Sequence, residues 1–391
     1  MQRDRFIEGS PFFTDEHARL AASVSNFAAR EVEPLAHAEE GPEADENFRT
    51  LLSLLAQAGL LSYAVAHGDG TPLGARALCV VREALAYHSP LADLAFVMQG
   101  LGTYAVSLAA PEHVRDFWLS RARDGKSIAA FALTEPEAGS DVSSVQTTAR
   151  REGDSYVIDG RKCFISNAGL ADFYTVFART GTRADGRAEL SAFIVGARMP
   201  GFRVAARTAL SAAHPIGELE FEGVRVPAED RVGAEGQGFA LAMQTMDMFR
   251  AGVGAAACGM ARRALDESIA YAGARRQFGV TLSAHQLIQE KLAVMQTELD
   301  AARLLVYRAA HLRDSAAASP SLLTRAASEA KFYATEAAQR VVDEAVQIQG
   351  GRGLVRGNTV ERLYRDVRAL RIYEGTTEIQ KLIIAREMLK E

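Results

Sequence analysis

The stretch Tyr156-Val157-Ile158-Asp159-Gly160-Arg161-Lys162-Cys163-Phe164-Ile165 begins the part of the chain that decides its fold. Two short runs of β-branched and aromatic residues flank Asp159-Gly160, a pair that favours the left-handed conformations of a type I′ turn, so the stretch predicts a β-hairpin. Similar short runs follow at 173–178, 190–195 and 224–226. Because strands follow strands without intervening helices, we expect an antiparallel sheet or barrel over residues 128–237 and not a doubly wound sheet.

Helical patterns lie on both sides of this region. Before it, Thr14 can cap a first helix that ends near Pro34, and further helices are predicted over 46–62, 74–88, 92–108 and 111–123. After it, one apolar stripe recurs at spacings of three and four, as in a bundle helix: Ile288, Leu292, Met295, Leu299, Ala302 and Val306. A second long helix is predicted over 321–348.

These patterns predict an α+β multidomain protein. The expected domains are an N-terminal α-helical domain over 1–127, a middle β domain over 128–237 and a C-terminal four-helix bundle over 238–391. A chain of 391 residues is long enough for two or three domains.

Composition narrows the functional class. Hydrophobic residues make up 48% and charged residues 24%, which excludes disordered and fibrous chains, and the net charge of -5 counts against nucleic acid as a partner. Cys79, Cys163 and Cys258 lie too far apart to suggest a disulfide framework or a cysteine metal site. The first residues resemble no signal peptide, and the most apolar stretch, 51–66, is too short to cross a bilayer. We therefore expect a cytoplasmic protein without a membrane span.

Common cofactor fingerprints are missing. Gly351-Arg352-Gly353 and Gly68-Asp69-Gly70 both lack the third glycine of GxGxxG, and no Walker A or HExxH pattern occurs. The eight histidines are scattered without ligand spacing, so no metal site is expected.

The most unusual segment is Phe131-Ala132-Leu133-Thr134-Glu135-Pro136-Glu137-Ala138-Gly139-Ser140-Asp141. It joins an apolar strand to a turn of small and hydroxylated residues, whose N–H and hydroxyl groups could bind a polar ring edge or a phosphate. A purely structural β-turn explains the segment equally well.

Two further segments could carry chemistry. In Tyr373-Glu374-Gly375-Thr376-Thr377-Glu378, Glu374 could project from a helix junction into a pocket, although a solvated charge is the plainer interpretation. In Arg275-Arg276-Gln277-Phe278-Gly279, guanidinium groups stand beside an aromatic ring. Such a cluster could clamp a pyrophosphate, or it could be an ordinary surface turn.

Taken together and in this order, these segments resemble the acyl-CoA dehydrogenase family. LTEPEAGSD (133–141) and DGRKCFISNAG (159–169) resemble the family's flavin-binding segment and the segment that follows it. RRQFG (275–279), QIQGGRG (347–353) and IYEGTTEIQ (372–380) resemble its three C-terminal signatures. The resemblance extends over nearly the whole chain and implies an FAD-dependent enzyme that dehydrogenates an acyl-CoA.

The resemblance implies that FAD lies between the β domain and the bundle. Leu133 and Thr134 would face the pyrimidine edge of the flavin, and Ser140 would lie near both the pyrophosphate and the bound CoA. Phe164 replaces the family's usual Trp, and Ser166 replaces a Thr but keeps its hydroxyl. The implied FAD-binding residues are Phe131, Leu133, Thr134, Gly139, Ser140, Phe164, Ile165, Ser166, Arg275, Phe278, Gln286, Gln347, Gly350, Gly351, Thr376 and Glu378. Six of these residues would bind the FAD of a neighbouring subunit: Arg275, Phe278, Gln286, Gln347, Gly350 and Gly351.

The resemblance also implies a reaction. Glu374 would remove the α proton of the thioester while a β hydride passes to the flavin, giving a trans-2-enoyl-CoA. In some relatives the base lies just before the arginine at 250, but here that position is Phe249. The acyl chain should desolvate Glu374 and raise its pKa. The implied substrate-binding residues are Ser140, Asp247, Arg250, Tyr373, Gly375 and Asp93.

Asp93 suggests the character of the acyl group. By an ungapped comparison it stands where glutaryl-CoA dehydrogenases carry the arginine that grips a distal carboxylate. A carboxylate there would repel a dicarboxylic tail, so we expect an uncharged short-chain, medium-chain or alicyclic acyl group, cyclohexanecarboxyl-CoA being the sharper expectation. An Asp that only caps the helix after Pro90 and faces solvent is the alternative.

Two other functions stay open at this point. An acyl-CoA oxidase would use O2 directly, and a catalytically silent homologue would only bind acyl-CoA or assist assembly. As partners, the resemblance implies an electron-transfer flavoprotein as acceptor and a homo-oligomer, a tetramer built as a dimer of dimers.

Overall fold

The computed structural model describes residues 5–36, 41–315 and 318–390. Residues 1–4, which enter the signal-peptide expectation, lie outside the described part. The helices are α1 (Arg5–Gly9), α2 (Asp15–Phe27), α3 (Pro42–Gln57), α4 (Ala75–His88), α5 (Pro90–Ala109), α6 (Glu112–Arg123), α7 (Gly238–Ala274), α8 (Gln286–Asp314), α9 (Pro320–Gln349), α10 (Thr359–Ala369) and α11 (Thr377–Met388). The strands are β1 (Ala129–Ala132), β2 (Thr148–Glu152), β3 (Ser155–Ser166), β4 (Phe173–Thr182), β5 (Ala188–Gly196), β6 (Phe202–Arg207), β7 (Ile216–Pro227), β8 (Arg231–Val232), β9 (Arg276–Gln277) and β10 (Val280–Thr281).

The described residues form two compact units. The helical unit comprises Met1–His37, Gly74–Asp93 and Phe249–Glu391, and the sheet unit comprises Ala38–Leu73 and Leu94–Met248, each as far as it is described. This division cuts through α5 and α7. The order of helices, sheet and helices along the chain is as expected, whereas the domain boundaries near 127 and 237 stay predictions.

The sheet unit is built on an eight-stranded sheet with the order β6-β7-β3-β2-β4-β5-β8, and β1 pairs with β4. Most neighbours are antiparallel, as expected, but β1 and β2 each pair with β4 in parallel. The sheet is therefore mixed. Its core includes Phe173, Phe177 and Ile194, which pack with Val106 of α5 and Leu241 of α7.

The hairpin prediction at Asp159-Gly160 is wrong. Both residues lie inside β3, which pairs with β7 along its length and has a register shift between Ile158 and Gly160. A Cβ at Gly160 would lie 2.7 Å from the Cα of Thr147, so the glycine permits a close approach of two backbones and not a chain reversal. The turn that does reverse the chain is Gly153-Asp154, between β2 and β3.

The helical unit contains the bundle. The predicted stripe on α8 is buried from Met295 onward, through Leu299 and Val306, while its first residues are half-buried. Tyr307 of the same helix is also buried, and its hydroxyl donates to Glu83 Oε2 of α4 at 2.7 Å. Long-range pairs of this kind join α4 to the bundle inside one unit.

Within the described residues, one helix is long and apolar enough to cross a membrane by composition alone. It is α5, with a mean hydropathy of 1.3 over the most apolar window, and 78% of that window is buried inside the protein. Burial of this extent is typical of a core helix. The sequence suggested residues 51–66 as the most apolar stretch, but the most apolar long helix is α5.

Candidate active site

Glu374 lies in the turn between α10 and α11 with a left-handed backbone, φ 53°. This conformation costs a non-glycine residue about 1–2 kcal/mol, so the surroundings must hold it. Gln380, fully buried on α11, donates from Nε2 to the carbonyl oxygens of Glu374 and Gly375 at 3.2 and 3.1 Å. Lys331, fully buried on α9, donates from Nζ to the Gly375 carbonyl at 2.7 Å. Two side chains from two helices thus fix the backbone beside the expected base.

The Glu374 carboxylate is set among buried charges. Its Oε2 is buried and has no hydrogen-bond partner among the described residues. Burial raises the pKa of Glu374, the positive charges of Arg82, Lys331 and Arg250 oppose that rise, and the negative charge of Asp93 adds to it. The solvated-charge interpretation is therefore wrong, and a carboxyl with a raised pKa and an unpaired oxygen suits a general base.

Asp93 is paired and does not face solvent. It lies in the first turn of α5, is 4% exposed, and accepts hydrogen bonds from Nε and Nη2 of Arg82 on α4, both at 2.8 Å. The helix is capped instead by Ser89, whose Oγ accepts from the Ala92 N–H at 3.3 Å. The prediction of a cap that faces solvent is thus wrong. The prediction of a bare charge that repels the acyl tail is also wrong, because Arg82 neutralises the charge of Asp93.

The residues expected near the CoA entrance lie on α7 and in the Glu374 turn. Asp247 and Arg250 are three residues apart on α7, so they lie on one helix face, where Arg250 is buried and Asp247 half-buried. Phe249 is fully buried and supplies no alternative base. Tyr373 is half-buried, and burial raises the pKa of its hydroxyl.

The LTEP segment leaves β1 and forms a tight turn in which the Glu135 and Ala138 backbones bond to each other. Lys162 of β3 is fully buried and donates from Nζ to the Leu133 carbonyl at 2.9 Å and to Glu135 Oε1 at 2.7 Å. The Thr134 carbonyl accepts from the Cys163 N–H at 3.0 Å. This part of the segment is thus a rigid structural turn, as one interpretation held. Its rigidity would also suit the binding of a flat ring.

Ser166 ends β3 and is joined to a histidine that the sequence did not single out. Its Oγ lies 2.7 Å from Nε2 of His214. Burial lowers the pKa of His214 to about 4, so the imidazole is neutral at pH 7. Nearby on β3, Phe164 has a left-handed φ of 52° and is 60% exposed. A strained, exposed aromatic residue is a frequent mark of a binding surface.

Arg275 and Phe278 belong to a small ribbon after α7. Strands β9 and β10 pair around Phe278-Gly279, which have φ values of 51° and 83° and so form a type I′ turn. Phe278 is 94% exposed, a costly position for an aromatic ring unless another molecule covers it. Arg275, Gln286 and Gln347 are also exposed.

The structure distributes the predicted site residues over both units. The sheet unit carries Phe131, Leu133, Thr134, Gly139, Ser140, Phe164, Ile165, Ser166 and Asp247. The helical unit carries Asp93, Arg250, Arg275, Phe278, Gln286, Gln347, Gly350, Gly351, Tyr373, Glu374, Gly375, Thr376 and Glu378. Of the residues expected to contact FAD, Leu133 and Ile165 are buried, whereas Gly139, Ser140 and Glu378 are exposed.

Sequence reasoning missed Arg82, Lys331, Gln380 and His214. Arg82 follows the apolar run Leu78-Cys79-Val80-Val81, a signal that could have indicated a buried partner, whereas Lys331 stands among other charged residues of α9 and gives no such signal. No local pattern distinguishes His214 from the other histidines.

Comparison with known proteins gives a consistent assignment. Three family models match: acyl-CoA dehydrogenase N-terminal domain over residues 14–126, middle domain over 130–224 and C-terminal domain over 236–389. The chain is 36% identical over 385 residues to cyclohexane-1-carbonyl-CoA dehydrogenase of Geobacter metallireducens, covering 97% of this chain and 99% of that protein. It is 35% identical over 391 residues to the caffeyl-CoA reductase-Etf complex subunit CarC of Acetobacterium woodii, covering 97% and 100%.

A solved structure shares the fold over nearly the full length. Butyryl-CoA dehydrogenase from Megasphaera elsdenii superposes with a TM-score of 0.86 and 33% sequence identity, covering 96% of this chain and 99% of that one. The three matched domain models together span nearly all of the chain. The chain therefore belongs to the acyl-CoA dehydrogenase family.

Proposed function

We propose that this protein removes the α proton and the β hydride of an acyl-CoA thioester to give the trans-2-enoyl-CoA, with Glu374 as the base. The observation that carries the proposal is the state of Glu374. Its backbone is held in a left-handed turn, its Oε2 has no partner among the described residues, and burial raises its pKa. A structural carboxylate would be expected to satisfy both oxygens.

The reaction requires stabilisation of enolate character. An α C–H of a thioester is weakly acidic, so charge on the thioester oxygen must be met by hydrogen-bond donors, an arrangement worth several kcal/mol. The Glu374 N–H is proposed to be one such donor, and the fixed turn keeps it in place. Glu374 takes the proton, and an entering acyl chain excludes water and strengthens it as a base.

The family's cofactor is FAD, which when bound would supply the acceptor for the hydride of the β carbon. The chain's residues fit such a group. Phe164 and Phe278 are exposed aromatics on strained backbone, and Gly350 and Gly351 have open space where a side chain would stand. Arg275 is proposed to hold the pyrophosphate, and the Thr134 and Ser166 hydroxyls to contact the flavin ring.

We propose an uncharged acyl group, with an alicyclic group such as cyclohexanecarboxyl as the narrower expectation. Arg82 already donates two N–H groups to Asp93, so much of its charge is compensated before a distal carboxylate enters. A dicarboxylic tail would add a second carboxylate to a site that is proposed to hold the Glu374 carboxylate. Similarity to the Geobacter cyclohexane-1-carbonyl-CoA dehydrogenase supports the alicyclic choice.

The proposed partners are an electron-transfer flavoprotein and further copies of this chain. The Acetobacterium relative belongs to a complex with Etf. The exposed Phe278, together with Leu354 at 73% exposure, suits a homotetramer in which neighbouring subunits cover these residues. We also propose a cytoplasmic location, as the sequence suggested.

One relative favours a second direction of the same chemistry. The Acetobacterium protein is named as part of a reductase, so the chain could reduce an enoyl-CoA when a strong donor keeps the flavin reduced. Active-site residues catalyse a reversible reaction in both directions, and the donor or acceptor decides the net flow.

Anaerobic titration of the purified protein tests the function. A yellow protein should bleach with butyryl-, hexanoyl- or cyclohexanecarboxyl-CoA, and the chemically reduced protein should regain colour with the corresponding enoyl-CoA. Turnover on O2 without another acceptor would instead indicate an oxidase. If none of the straight, branched, dicarboxylic and alicyclic acyl-CoAs bleaches the protein, it would be a catalytically silent homologue.

A further inference from the structure

Arg82 is a buried cation that the reaction as described does not use. It lies on α4, is 1% exposed, and donates from Nε and Nη2 to the two carboxylate oxygens of Asp93. A fully desolvated arginine is rare and needs compensation. Asp93 supplies much of this compensation, through a bidentate pair at 2.8 Å.

The third guanidinium nitrogen of Arg82 is left over. Nη1 is buried and has no hydrogen-bond partner among the described residues. Room for it depends on α7, because a Cβ at Gly252 would lie 3.0 Å from both Nη1 and Cδ of Arg82. The buried Oε2 of Glu374 lacks a partner as well. Among the buried polar atoms of the helical unit that make no hydrogen bond within the described residues, this donor and this acceptor belong to groups of opposite charge.

Several helices place charges around Glu374, and Arg82 is the strongest among the cations. Its effect on the pKa of Glu374 exceeds those of Lys331 and Arg250, and Asp93 acts in the opposite sense. The groups that interact electrostatically with Glu374 are Arg82 from α4, Asp93 from α5, Arg250 from α7, Lys331 from α9 and Tyr373 from its own turn. Lys331 donates to the Gly375 carbonyl, and Arg82 carries a buried donor, Nη1, that has no hydrogen-bond partner among the described residues.

We propose that Arg82 is a positioning residue that holds the Glu374 carboxylate ionised before substrate enters, and that Asp93 limits this attraction so that the base keeps its affinity for a proton. The proposal rests on the proposed role of Glu374 as base. Arg82 without Asp93 would lower the pKa of Glu374 and make it a weak base. Asp93 without Arg82 would raise that pKa and leave Glu374 protonated. The pair keeps the carboxylate between these two states.

A purely structural role is the competing explanation. Buried ion pairs often only tie helices together, and replacing both partners can leave stability unchanged. Such a role predicts that removal of either partner affects melting temperature and activity in the same direction at every pH. The proposed role predicts opposite changes in the pH dependence of catalysis for the two partners.

The test measures the anaerobic rate of flavin reduction by a saturating acyl-CoA from pH 5.5 to 9 in the holoenzyme. Arg82→Gln should move the midpoint of the pH profile upward, Asp93→Asn should move it downward, and the double variant should return toward the native midpoint. Ratios of the rate at pH 6 to that at pH 9 should change by about threefold or more in each single variant. Arg82→Lys keeps the charge and should stay closer to the native midpoint.

Glu83→Gln is the matched control. Glu83 lies next to Arg82 on α4, is 3% exposed and pairs with Arg303 at 2.9 Å, yet it is not among the charges that face Glu374. This variant should lower the melting temperature and leave the pH midpoint in place. If Arg82→Gln does not fold, the pH midpoints of Asp93→Asn and Glu83→Gln are compared. A downward shift in Asp93→Asn alone then supports the proposal, and no shift overturns it.

Shifts in the same direction for Arg82→Gln and Asp93→Asn, or no shift in either, would overturn the proposal. Failure of the proposed function looks different: Glu374→Gln would then reduce flavin at the native rate whatever Arg82 does. Slow reduction in Glu374→Gln with unmoved midpoints in the Arg82 and Asp93 variants would defeat this inference alone.

Discussion

Nζ of Lys331 lies 2.7 Å from the carbonyl oxygen of Gly375, so a buried cation on α9 holds the backbone directly after Glu374. The same carbonyl accepts from Gln380, and the left-handed φ of Glu374 is kept by both. The position of the expected base therefore depends on α9, which is remote from it in sequence, and on α11, which follows it closely.

Lys331→Met should slow flavin reduction by roughly tenfold or more while acyl-CoA still binds, because a misplaced catalytic group costs rate more than binding. Methionine fills similar volume without a buried charge, so the fold should survive. Stopped-flow reduction and a binding titration separate the two effects. Lys291→Met, a change at a more exposed lysine of α8, is the control. A native reduction rate in Lys331→Met would show that the Gly375 carbonyl needs no such donor.

Arg275→Ala should lower FAD occupancy far more than it alters the fold. Arg275 is exposed in the single chain, so its loss disturbs no core, and a bidentate pyrophosphate contact would be lost. Absorbance of the flavin per polypeptide after dilution and gel filtration measures occupancy. Arg30→Ala removes an exposed arginine elsewhere, with a side chain 76% exposed, and should stay yellow. An Arg275→Ala protein that keeps all its flavin at high dilution contradicts the assignment.

Asp93→Asn should improve activity with glutaryl-CoA relative to butyryl-CoA. In the native protein Arg82 is occupied by Asp93, whereas in the variant its charge becomes available to a distal carboxylate. The kcat/KM ratio for the two substrates measures the change. The native enzyme should prefer butyryl-, hexanoyl- and cyclohexanecarboxyl-CoA to glutaryl-CoA. A native preference for glutaryl-CoA, or an unchanged substrate preference in Asp93→Asn, would show that Arg82 and Asp93 do not contribute to the acyl site.

His214 should make the fold sensitive to acid. Its pKa is about 4 in the folded state against an ordinary 6.5, so the unfolded chain binds more protons between these values. Stability is therefore full above pH 6.5 and is lost as pH falls toward 4, by at most about 3 kcal/mol.

Urea unfolding at pH 7 and pH 5 measures this dependence. His214→Gln keeps a hydrogen-bonding group near Ser166 but cannot be protonated, so its stability should change less between the two pH values. An equal pH dependence in the variant and the native protein would place the acid sensitivity elsewhere.

Local patterns predicted the helices well because their periodicity is local. The prediction over 74–88 corresponds to α4 at Ala75–His88, and that over 321–348 to α9 at Pro320–Gln349. The prediction at Asp159-Gly160 was wrong because the same dipeptide suits both a turn and a bulge. The close approach of the Thr147 backbone to Gly160 distinguishes the two, and it is set by tertiary packing. Neighbours in sequence could not supply that information.

The expected base was found through the family resemblance, and its supports were not. Arg82 with Asp93 is a contact between two helices, and His214 with Ser166 spans 48 residues. Asp93 was interpreted alone, as a cap or as a bare charge, because its partner is fixed only by tertiary packing. A buried charge in an apolar pattern was the one local sign that such a partner exists.

The central claim is that Glu374 is the base, and the anaerobic reduction rate of Glu374→Gln tests it most directly. Glutamine keeps the shape and cannot accept the proton, so acyl-CoA should still bind and perturb the flavin spectrum. We predict reduction at least about two orders of magnitude slower than in the native protein. Near-native reduction in this variant would place the base elsewhere and contradict the mechanism.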